Sequence, residues 1–355
     1  MTDVRTGDTR DSHAHRRAML AGIGGLAAGA FLTGNRAAHA GPLNPPAGPI
    51  TGTGKTLTEV EPRTAINAAN TPGDSDSTFR IAEPGSYYLT GNVTGSNGRN
   101  GIKIDSDNVT IDLNGFSLLG VGGSLNGIDI PSPRRHIAVH NGMIRGWGND
   151  GVNGNVRFGR FERLTSTDNA AAGIDLVVGA DCEFVSCIVA ENGARGIRCG
   201  SRSLVSDCIA RGNDGRGIDA NNTSIVRACT SSNNTSDGVW VSSNSLVVEC
   251  VSQGNGNHGV RLSPGCAAIN NTLTNNSAAG VFSFTFFVGG VRIEGNNCVG
   301  NAQGVSAPDP GNLIIRNSAY QNTTNYSIGA GNTAGPIVTS ANIASNSNPH
   351  ANYSY

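Results

Sequence analysis

The six residues NGARGI at positions 192–197 begin a series of similar segments that decides the fold. The series continues with NDGRGI at 213–218, NTSDGV at 234–239, NGNHGV at 255–260 and NSAAGV at 276–281, always 21 residues apart. Five residues before each Asn stand Cys187, Cys208, Cys229, Cys250 and Asn271. Looser copies extend upstream through Ile102, Ile128, Val152 and Ile174 and downstream to Val305. A fixed period of this length predicts stacked structural repeats.

Each repeat contains short segments in which apolar and polar residues alternate, such as GIDA from Gly217 and SIVRAC from Ser224. Alternation over so few residues predicts strands. A unit of 21 residues cannot bury its own apolar face, so it must stack on its neighbours, at ~4.8 Å per coil. We expect the Gly before each Ile or Val to be a turn residue that uses its backbone freedom. We expect the stacked Asn residues to satisfy one another's amides and to tolerate the left-handed αL conformation.

With this repeat the sequence resembles the pectate-lyase-like family of right-handed parallel β-helix proteins, whose coils have this length and whose turns carry Asn ladders. The resemblance covers about residues 96–345. It implies an all-β protein, a single-stranded right-handed parallel β-helix (solenoid) of ten or eleven coils. Residues 61–95 are predicted to form an N-terminal cap and residues 346–355 a C-terminal tail. The fold hosts lyases, hydrolases, epimerases, adhesins and tailspikes, so it does not determine an activity.

The eight cysteines are predicted to be small buried core residues. Cys187, Cys208, Cys229 and Cys250 share one coil position, and Cys182 and Cys266 share another with Ser203, Ser224 and Ser245. In a vertical stack the Cβ vectors run parallel and do not converge as a disulfide requires. Disulfides between neighbouring coils are the alternative, and a one-sided ladder does not converge tetrahedrally on a metal.

The first forty residues are predicted to be an export signal. Arg16 and Arg17 precede an Ala-, Gly- and Leu-rich run, and Ala38-His39-Ala40 offers a small-residue cleavage site. The paired arginines resemble a twin-arginine signal of bacteria, with an ordinary secretory signal or an uncleaved anchor as alternatives. Each of these predicts a periplasmic or extracellular protein. Residues 41–60, which include four prolines, are predicted to be a linker.

Composition argues against two classes of partner. The formal net charge is -1 and charged residues make up 14% of the chain, so there is no basic surplus for a nucleic acid. No apolar stretch after residue 40 approaches the ~20 residues that a membrane span requires. The partner that the resemblance implies is a polysaccharide or cell-surface glycan.

The residue after each buried Ile or Val must point outward, because side chains alternate along a strand. In chain order these residues are Lys103, Asp129, Asn153, Asp175, Arg198, Asp219, Trp240 and Arg261. They are predicted to line one face of the solenoid as a strip, on which an exposed Trp could stack on a sugar ring. A structural interpretation stays open, in which the charged residues are cross-coil ion pairs and a loop covers Trp240.

If the strip is catalytic, Asp175, Arg198 and Asp219 are the candidate catalytic residues. Two coils separate the two aspartates, ~9.6 Å at the backbone, a spacing that could suit an inverting glycosidase. Arg198 between them would keep both ionised, which disfavours a general acid. A polysaccharide lyase fits better, because a cation neutralises the uronate carboxylate while a base takes the adjacent proton.

Four of the five remaining strip residues are candidate contacts for the substrate, together with His258 beside the strand that follows it: Lys103, Asp129, Trp240 and Arg261. Ca²⁺ is a possible cofactor, held by Asp129 with Asp175 or by Asp105 with Asp107. The chain lacks the Asn-Thr-Asp, Asp-Asp and Gly-His-Gly signatures of polygalacturonases and the Asp-Pro-His-Glu signature of mannuronan epimerases. The rival prediction is a non-catalytic surface protein that binds the cell envelope or a matrix.

Overall fold

The computed structural model describes residues 61–286 and 288–355. The predicted export signal of residues 1–40 and the predicted linker of residues 41–60 lie outside the described residues. The described chain forms three parallel ladders of short strands, numbered here in chain order. No helix in the described residues is long and apolar enough to cross a membrane.

Sheet 1 contains one strand from each of twelve coils. Its strands are β2 (Ser77–Ile81), β5 (Asn100–Ile104), β8 (Ile128–Arg135), β10 (Val152–Arg157), β12 (Ile174–Ala180), β15 (Ile197–Ser201), β18 (Ile218–Ala220), β21 (Val239–Val241), β24 (Val260–Leu262), β27 (Ala279–Ser283), β30 (Gln303–Ala307) and β33 (Thr324–Ile328).

Two further ladders complete each coil, and the long strands β9 and β11 bend from one ladder into the other. Sheet 2 contains β1 (Thr64–Ala65), β3 (Gly85–Tyr88), β6 (Val109–Asp112), β9 (Ile137–Arg145), β11 (Arg160–Thr167), β13 (Glu183–Val185), β16 (Leu204–Ser206), β19 (Ile225–Arg227), β22 (Leu246–Val248), β25 (Ala267–Ile269), β28 (Arg292–Glu294), β31 (Leu313–Ile315) and β34 (Thr333–Ala334). Sheet 3 contains β4 (Val93–Thr94), β7 (Ser117–Leu119), the ends of β9 and β11, β14 (Ile188–Ala190), β17 (Ile209–Arg211), β20 (Thr230–Ser232), β23 (Val251–Gln253), β26 (Thr272–Thr274), β29 (Asn297–Val299), β32 (Ser318–Tyr320), β35 (Ile337–Val338) and β36 (Asn352–Ser354). A 3₁₀ helix covers Ile343–Ser345.

The predicted right-handed parallel β-helix is confirmed, but it has twelve coils where the sequence predicted ten or eleven. Residues 61–95 already contribute β1 to β4, which pair with strands of the next coil. At the other end, β36 pairs with β32. The segments predicted as a cap (residues 61–95) and as a tail (residues 346–355) thus both add strands to the ladders, which gives their backbone groups partners.

An internal Asn ladder stabilises the turn between sheet 3 and sheet 1. In Asn192, Asn213, Asn234, Asn255 and Asn276, each side-chain amide donates to the Oδ1 of the Asn one coil further on, at 2.9 to 3.0 Å. The predicted mutual satisfaction of these amides is therefore confirmed. The αL prediction is wrong by one position, since positive φ belongs to the preceding residue, as in Asn233 and Gly254.

The glycine of each repeat is required for space and not for backbone freedom. None of the repeat glycines at 196, 217, 238, 259 and 280 has a positive φ. A Cβ on Gly238 would lie 2.0 Å from Ser252 Oγ and 2.8 Å from the Gly259 carbonyl oxygen. The expectation that these glycines use their backbone freedom is therefore wrong, because the neighbouring coil fills the position that a side chain would take.

All eight cysteines are buried and free, as predicted for small core residues. The backbone N–H of Cys187 lies 3.4 Å from the Cys208 sulfur. In this column the cysteine thiols therefore occupy the position that Asn side chains take in the later coils. Cys250 N–H donates to Asn271 Oδ1, which begins that column. The inner face of sheet 1 is a column of fully buried Ile and Val, from Ile102 to Val305.

Candidate functional site

The outward residues of sheet 1 form one column, which we call the strip. Strand pairing places each residue directly opposite the next one. The strip consists of Arg80, Lys103, Asp129, Asn153, Asp175, Arg198, Asp219, Trp240, Arg261, Phe282, Ser306 and Ser327. The predicted alignment of the eight residues from Lys103 to Arg261 is therefore confirmed, and their roles stay predictions.

A second column lies beside the strip, formed by the residue before each repeat glycine. We call these the pre-glycine residues: Asp150, Ala172, Arg195, Arg216, Asp237, His258 and Ala279. Apart from His258, sequence reasoning did not identify them. The signal was present, because charged residues recur at one position of the 21-residue period in a chain that is poor in charge.

Asp219 lies beneath two of these pre-glycine arginines. The Nη1 of Arg216 donates to Asp219 Oδ2 at 2.9 Å, and the Nε of Arg195 lies 2.8 Å from the same oxygen. The Asp219 side chain is only 4% exposed. Asp219 points away from the core as predicted, but long side chains from the neighbouring column fold over it, as the interpretation of ion pairs between coils allows. A base that must meet a substrate cannot be this residue without movement of the arginines.

Asp237 is a second buried carboxylate in the same region. Its Oδ1 accepts hydrogen bonds from Asn257 Nδ2 at 2.8 Å and from the backbone N–H of His258 at 3.2 Å. Its Oδ2 faces Arg216 Nε at 3.4 Å and Arg261 Nη1 at 3.9 Å. Arg216 therefore bridges the buried Asp219 and Asp237, and the surrounding cations compensate for the cost of burying both charges.

The surface above these carboxylates is a layer of guanidinium groups. We call Arg195, Arg198, Arg216 and Arg261 the arginine cluster, and their side chains are 22 to 35% exposed. Arg198 Nη1 lies 3.4 Å from Asp175 Oδ2, as the interpretation of cross-coil ion pairs predicts. Asp219 and Asp237 thus lie below the arginines, whose guanidinium groups reach solvent, while the exposed Asp214 lies beside Arg195 and Arg216.

Trp240 lies within this layer, and it is partly exposed. The guanidinium carbon of Arg216 is 3.9 Å from the centre of a Trp240 ring, so an arginine, not a loop, contacts this side chain. A shallow depression of about 290 Å³ lies beside Arg216, lined also by Arg195, Asp214 and Ser236. The site thus offers guanidinium groups, an aromatic ring and an open surface.

Two predicted substrate contacts lie away from the arginine cluster. The Nζ of Lys103 lies 3.0 Å from both Asp74 Oδ2 and Asp76 Oδ1, and four coils, ~19 Å, separate it from Arg198. Asp129 accepts a hydrogen bond from Asn126 Nδ2 at 3.0 Å, and burial raises the pKa of its carboxyl. Burial likewise raises the pKa of Asp150, whose carboxylate accepts from Asn153 Nδ2 at 2.7 Å.

The carboxylate pairs predicted to hold Ca²⁺ have other partners. Asp105 Oδ2 accepts from Arg80 Nε at 2.5 Å, and Asp107 Oδ1 accepts from the Arg135 backbone N–H at 2.9 Å. In residues 61–286 and 288–355, no group of three or more His, Cys, Asp or Glu side chains is placed to bind a metal ion. A calcium ion prefers six to eight oxygen ligands, which neither pair supplies alone.

His258 is half-buried and neutral. Its Nδ1 accepts a hydrogen bond from the Ala279 backbone N–H at 3.1 Å, so the ring proton resides on Nε2. The ring stacks on Phe282, with centroids 4.2 Å apart and planes 8° from parallel. Burial lowers the pKa of His258 from 6.5 to about 4. At neutral pH this side chain can donate through Nε2 but it carries no charge.

The lowered pKa predicts an acid-dependent loss of stability that His258 causes. Because the unfolded chain binds the proton near pH 6.5 and the folded chain only near pH 4, stability falls as pH drops through this window. Urea unfolding of the wild type and of His258→Gln between pH 7 and pH 4 measures it. We expect the free energy of unfolding to fall less steeply with decreasing pH in the variant than in the wild type. An equal fall in both proteins would contradict the prediction.

Comparisons with known proteins agree with this fold. A family model described as a right handed beta helix region matches residues 144–286. The A-module of the mannuronan C-5 epimerase AlgE4 from Azotobacter vinelandii is similar in structure, with a TM-score of 0.60, 16% sequence identity, and coverage of 77% of this chain and 88% of that one. The catalytic domain of a GH87 α-1,3-glucanase, solved in complex with nigerose, matches with a TM-score of 0.50 and 12% identity, over 82% of this chain and 62% of that one. A comparison with curated proteins finds no match. At these identities the likeness shows the fold alone.

Proposed function

We propose that the protein binds an acidic polysaccharide across the arginine cluster and cleaves it as a uronate-type polysaccharide lyase. The observation that carries the proposal is the layered charge of the site, in which exposed guanidinium groups cover the buried Asp219 and Asp237. Guanidinium groups bind carboxylates with two parallel hydrogen bonds, and they stay charged at every physiological pH. The two structural neighbours are named for enzymes that act on mannuronan and on α-1,3-glucan, which supports a carbohydrate substrate.

In this proposal, Arg198 pairs with the carboxylate of the uronate and Asp175 is the base. Asp175 is the most exposed of the three carboxylates that pair with the arginine cluster, with 19% of its side chain accessible to solvent. Its Oδ2 lies 3.4 Å from Arg198 Nη1. The base takes the proton next to the carboxylate, and the C–H electron pair forms a carbon–carbon double bond. The glycosidic C–O bond then breaks, and its oxygen takes a proton from water. Neutralising the uronate carboxylate stabilises the charge that develops during this step.

Asp219, predicted as catalytic, receives a different role in this proposal. It holds Arg195 and Arg216 in place from below, as a positioning residue. Trp240 and Arg261 extend the surface along the strip towards its C-terminal coils. Export of the protein, as the paired arginines Arg16 and Arg17 predict, stays part of the proposal because polysaccharides of this class lie outside the cytoplasm.

The test is a lyase assay of the full chain on polygalacturonate, alginate and a neutral glucan, with and without added Ca²⁺. We expect absorbance from unsaturated uronates on an acidic polymer only. Arg198→Ala and Asp175→Asn should each lower the rate about 100-fold or more, while the surface variant Arg227→Ala should retain it. Absence of product on every acidic polymer, or equal rates in all variants, would reject the lyase.

A second candidate is a non-catalytic glycan-binding protein. It is favoured by the observation that Asp175, Asp219 and Asp237 all have arginine partners. The charge of each of these three carboxylates is therefore already neutralised. This protein would bind polyuronate without cleavage, and added salt would weaken the binding because the contacts are between charges. Binding that depends on Arg198 and Trp240, without any product, would establish this second function.

A further inference from the structure

The strip continues beyond the arginine cluster into a row of aromatic rings. Phe282 lies directly opposite Arg261 in the strand pairing, and its ring stacks on His258. The Phe282 and Phe284 centroids are 6.0 Å apart and their planes differ by 14°, and Phe286 meets Phe284 edge to face at 4.3 Å. The row therefore leads from the centre of sheet 1 to the turn that follows β27.

Arg261 links this aromatic row to the arginine cluster. Its guanidinium carbon lies 5.8 Å from the Phe282 ring centre and 5.6 Å from that of Phe284, while Nη1 faces Asp237 at 3.9 Å. A uronate sugar has an apolar face of C–H groups and a carboxylate. Phenyl rings next to a guanidinium group present the partners for both of these features.

Phe286 is held in an exposed and strained position. Its side chain is 69% exposed, and its backbone has a φ of 48°, a conformation that a bulky residue rarely adopts. The turn is fixed from below, because the backbone N–H of Thr285 donates to the buried Asp309 Oδ2 at 2.8 Å and Val288 N–H donates to the Thr285 carbonyl at 2.9 Å. A conformation of this kind persists where the surrounding structure enforces it, here through the contacts of Thr285.

We propose that Phe286, with Phe284 and Arg261, forms a subsite that stacks on one uronate ring of the polysaccharide beyond the arginine cluster. This inference rests on the proposed function and adds a position and a mode of contact to it. Phe286 supplies the ring that meets the apolar sugar face, and Arg261 meets the carboxylate. Asp309 acts as a positioning residue, which keeps the aromatic turn in its bound shape before the substrate arrives.

The experiment measures the affinity of a purified oligogalacturonate for the full chain by calorimetry, with saturation-transfer NMR to identify the sugar protons in contact. Phe286→Ala should weaken binding about 10-fold and remove the transfer to one ring. Phe158→Ala is the matched control, because Phe158 also has a positive φ of 58° and is 43% exposed, yet lies six coils away, ~29 Å, on the same corner. The control should bind like the wild type.

A second pair of variants tests the role of Asp309. Asp309→Ala should weaken binding because the Thr285 N–H loses its acceptor, whereas Asp309→Asn keeps an acceptor oxygen and should restore the affinity. If Asp309 only stabilises the fold, Asp309→Ala should lower the urea midpoint of unfolding, but the two variants should bind the oligogalacturonate equally well. The same titrations on liposomes of neutral phospholipid test a membrane contact through Phe286, and binding there instead of to sugar would overturn the subsite.

The outcomes separate this inference from the proposed function. If Arg198→Ala weakens binding and Phe286→Ala does not, the proposed function stands and the subsite is rejected. If neither the acidic nor a neutral oligosaccharide panel binds the wild type, both are rejected. If only neutral sugars bind and the binding depends on Phe286, the stacking contact stands while the acidic substrate is rejected.

Discussion

Replacing Asn234 by alanine is expected to lower the free energy of unfolding by roughly 3 to 5 kcal/mol. Asn234 Nδ2 donates to Asn255 Oδ1 at 3.0 Å, to Ser231 Oγ at 3.1 Å and to the Ala210 carbonyl at 3.1 Å. Its Oδ1 accepts the backbone and side-chain N–H groups of Asn213 at 3.1 and 2.9 Å. All these groups lie in the buried turn, where water cannot replace the lost partner.

Urea unfolding at neutral pH measures the effect, with Asn222→Ala as the control. Asn222 is exposed, and none of the described side-chain hydrogen bonds involves its amide, so its removal should cost at most ~0.5 kcal/mol. Asn234→Asp should be as damaging as the alanine variant, because it removes the donor and buries a charge. Equal stability of the Asn234 and Asn222 variants would mean that the ladder does not stabilise the coils.

The repeat made this ladder predictable, because a strict period determines which residues share a column. The Asn column, the buried cysteines and the strip from Lys103 to Arg261 could all be predicted in this way. The reason for the repeat glycine could not be predicted, since a contact between coils looks like a turn preference in the sequence. For a similar reason, the sequence predicted the αL conformation for the stacked Asn residues, whereas in the structure the residue before each of them has the positive φ.

The candidate site shows the limit of the same reasoning. Alternation along a strand correctly directs Asp219 away from the core, but the direction of a side chain does not determine its exposure. Arg195 and Arg216 reach across from the pre-glycine column and bury it. The contacts between two neighbouring columns of long side chains depend on the lengths, charges and rotamers of those side chains. The repeat period shows which residues share a column, but it does not show these contacts.

Arg216→Ala is expected to have the second large effect, a loss of about 3 kcal/mol of stability at neutral pH. Arg216 pairs with Asp219 at 2.9 Å and with Asp237 at 3.4 Å, and both carboxylates are almost fully buried. Removing the shared cation leaves them with fewer partners in a region of low polarity. The loss stays at the lower end of the range for a broken buried ion pair, because Arg195 still faces Asp219.

A double variant identifies the cause of this loss. Asp237→Asn in the Arg216→Ala background should recover part of the stability at neutral pH, because it removes one of the unpaired charges. Arg211→Ala, an exposed variant on sheet 3, should stay within ~0.5 kcal/mol of the wild type. A deficit that Asp237→Asn leaves unchanged would show that the contribution of Arg216 comes from its packing on Trp240, 3.9 Å away, and not from charge.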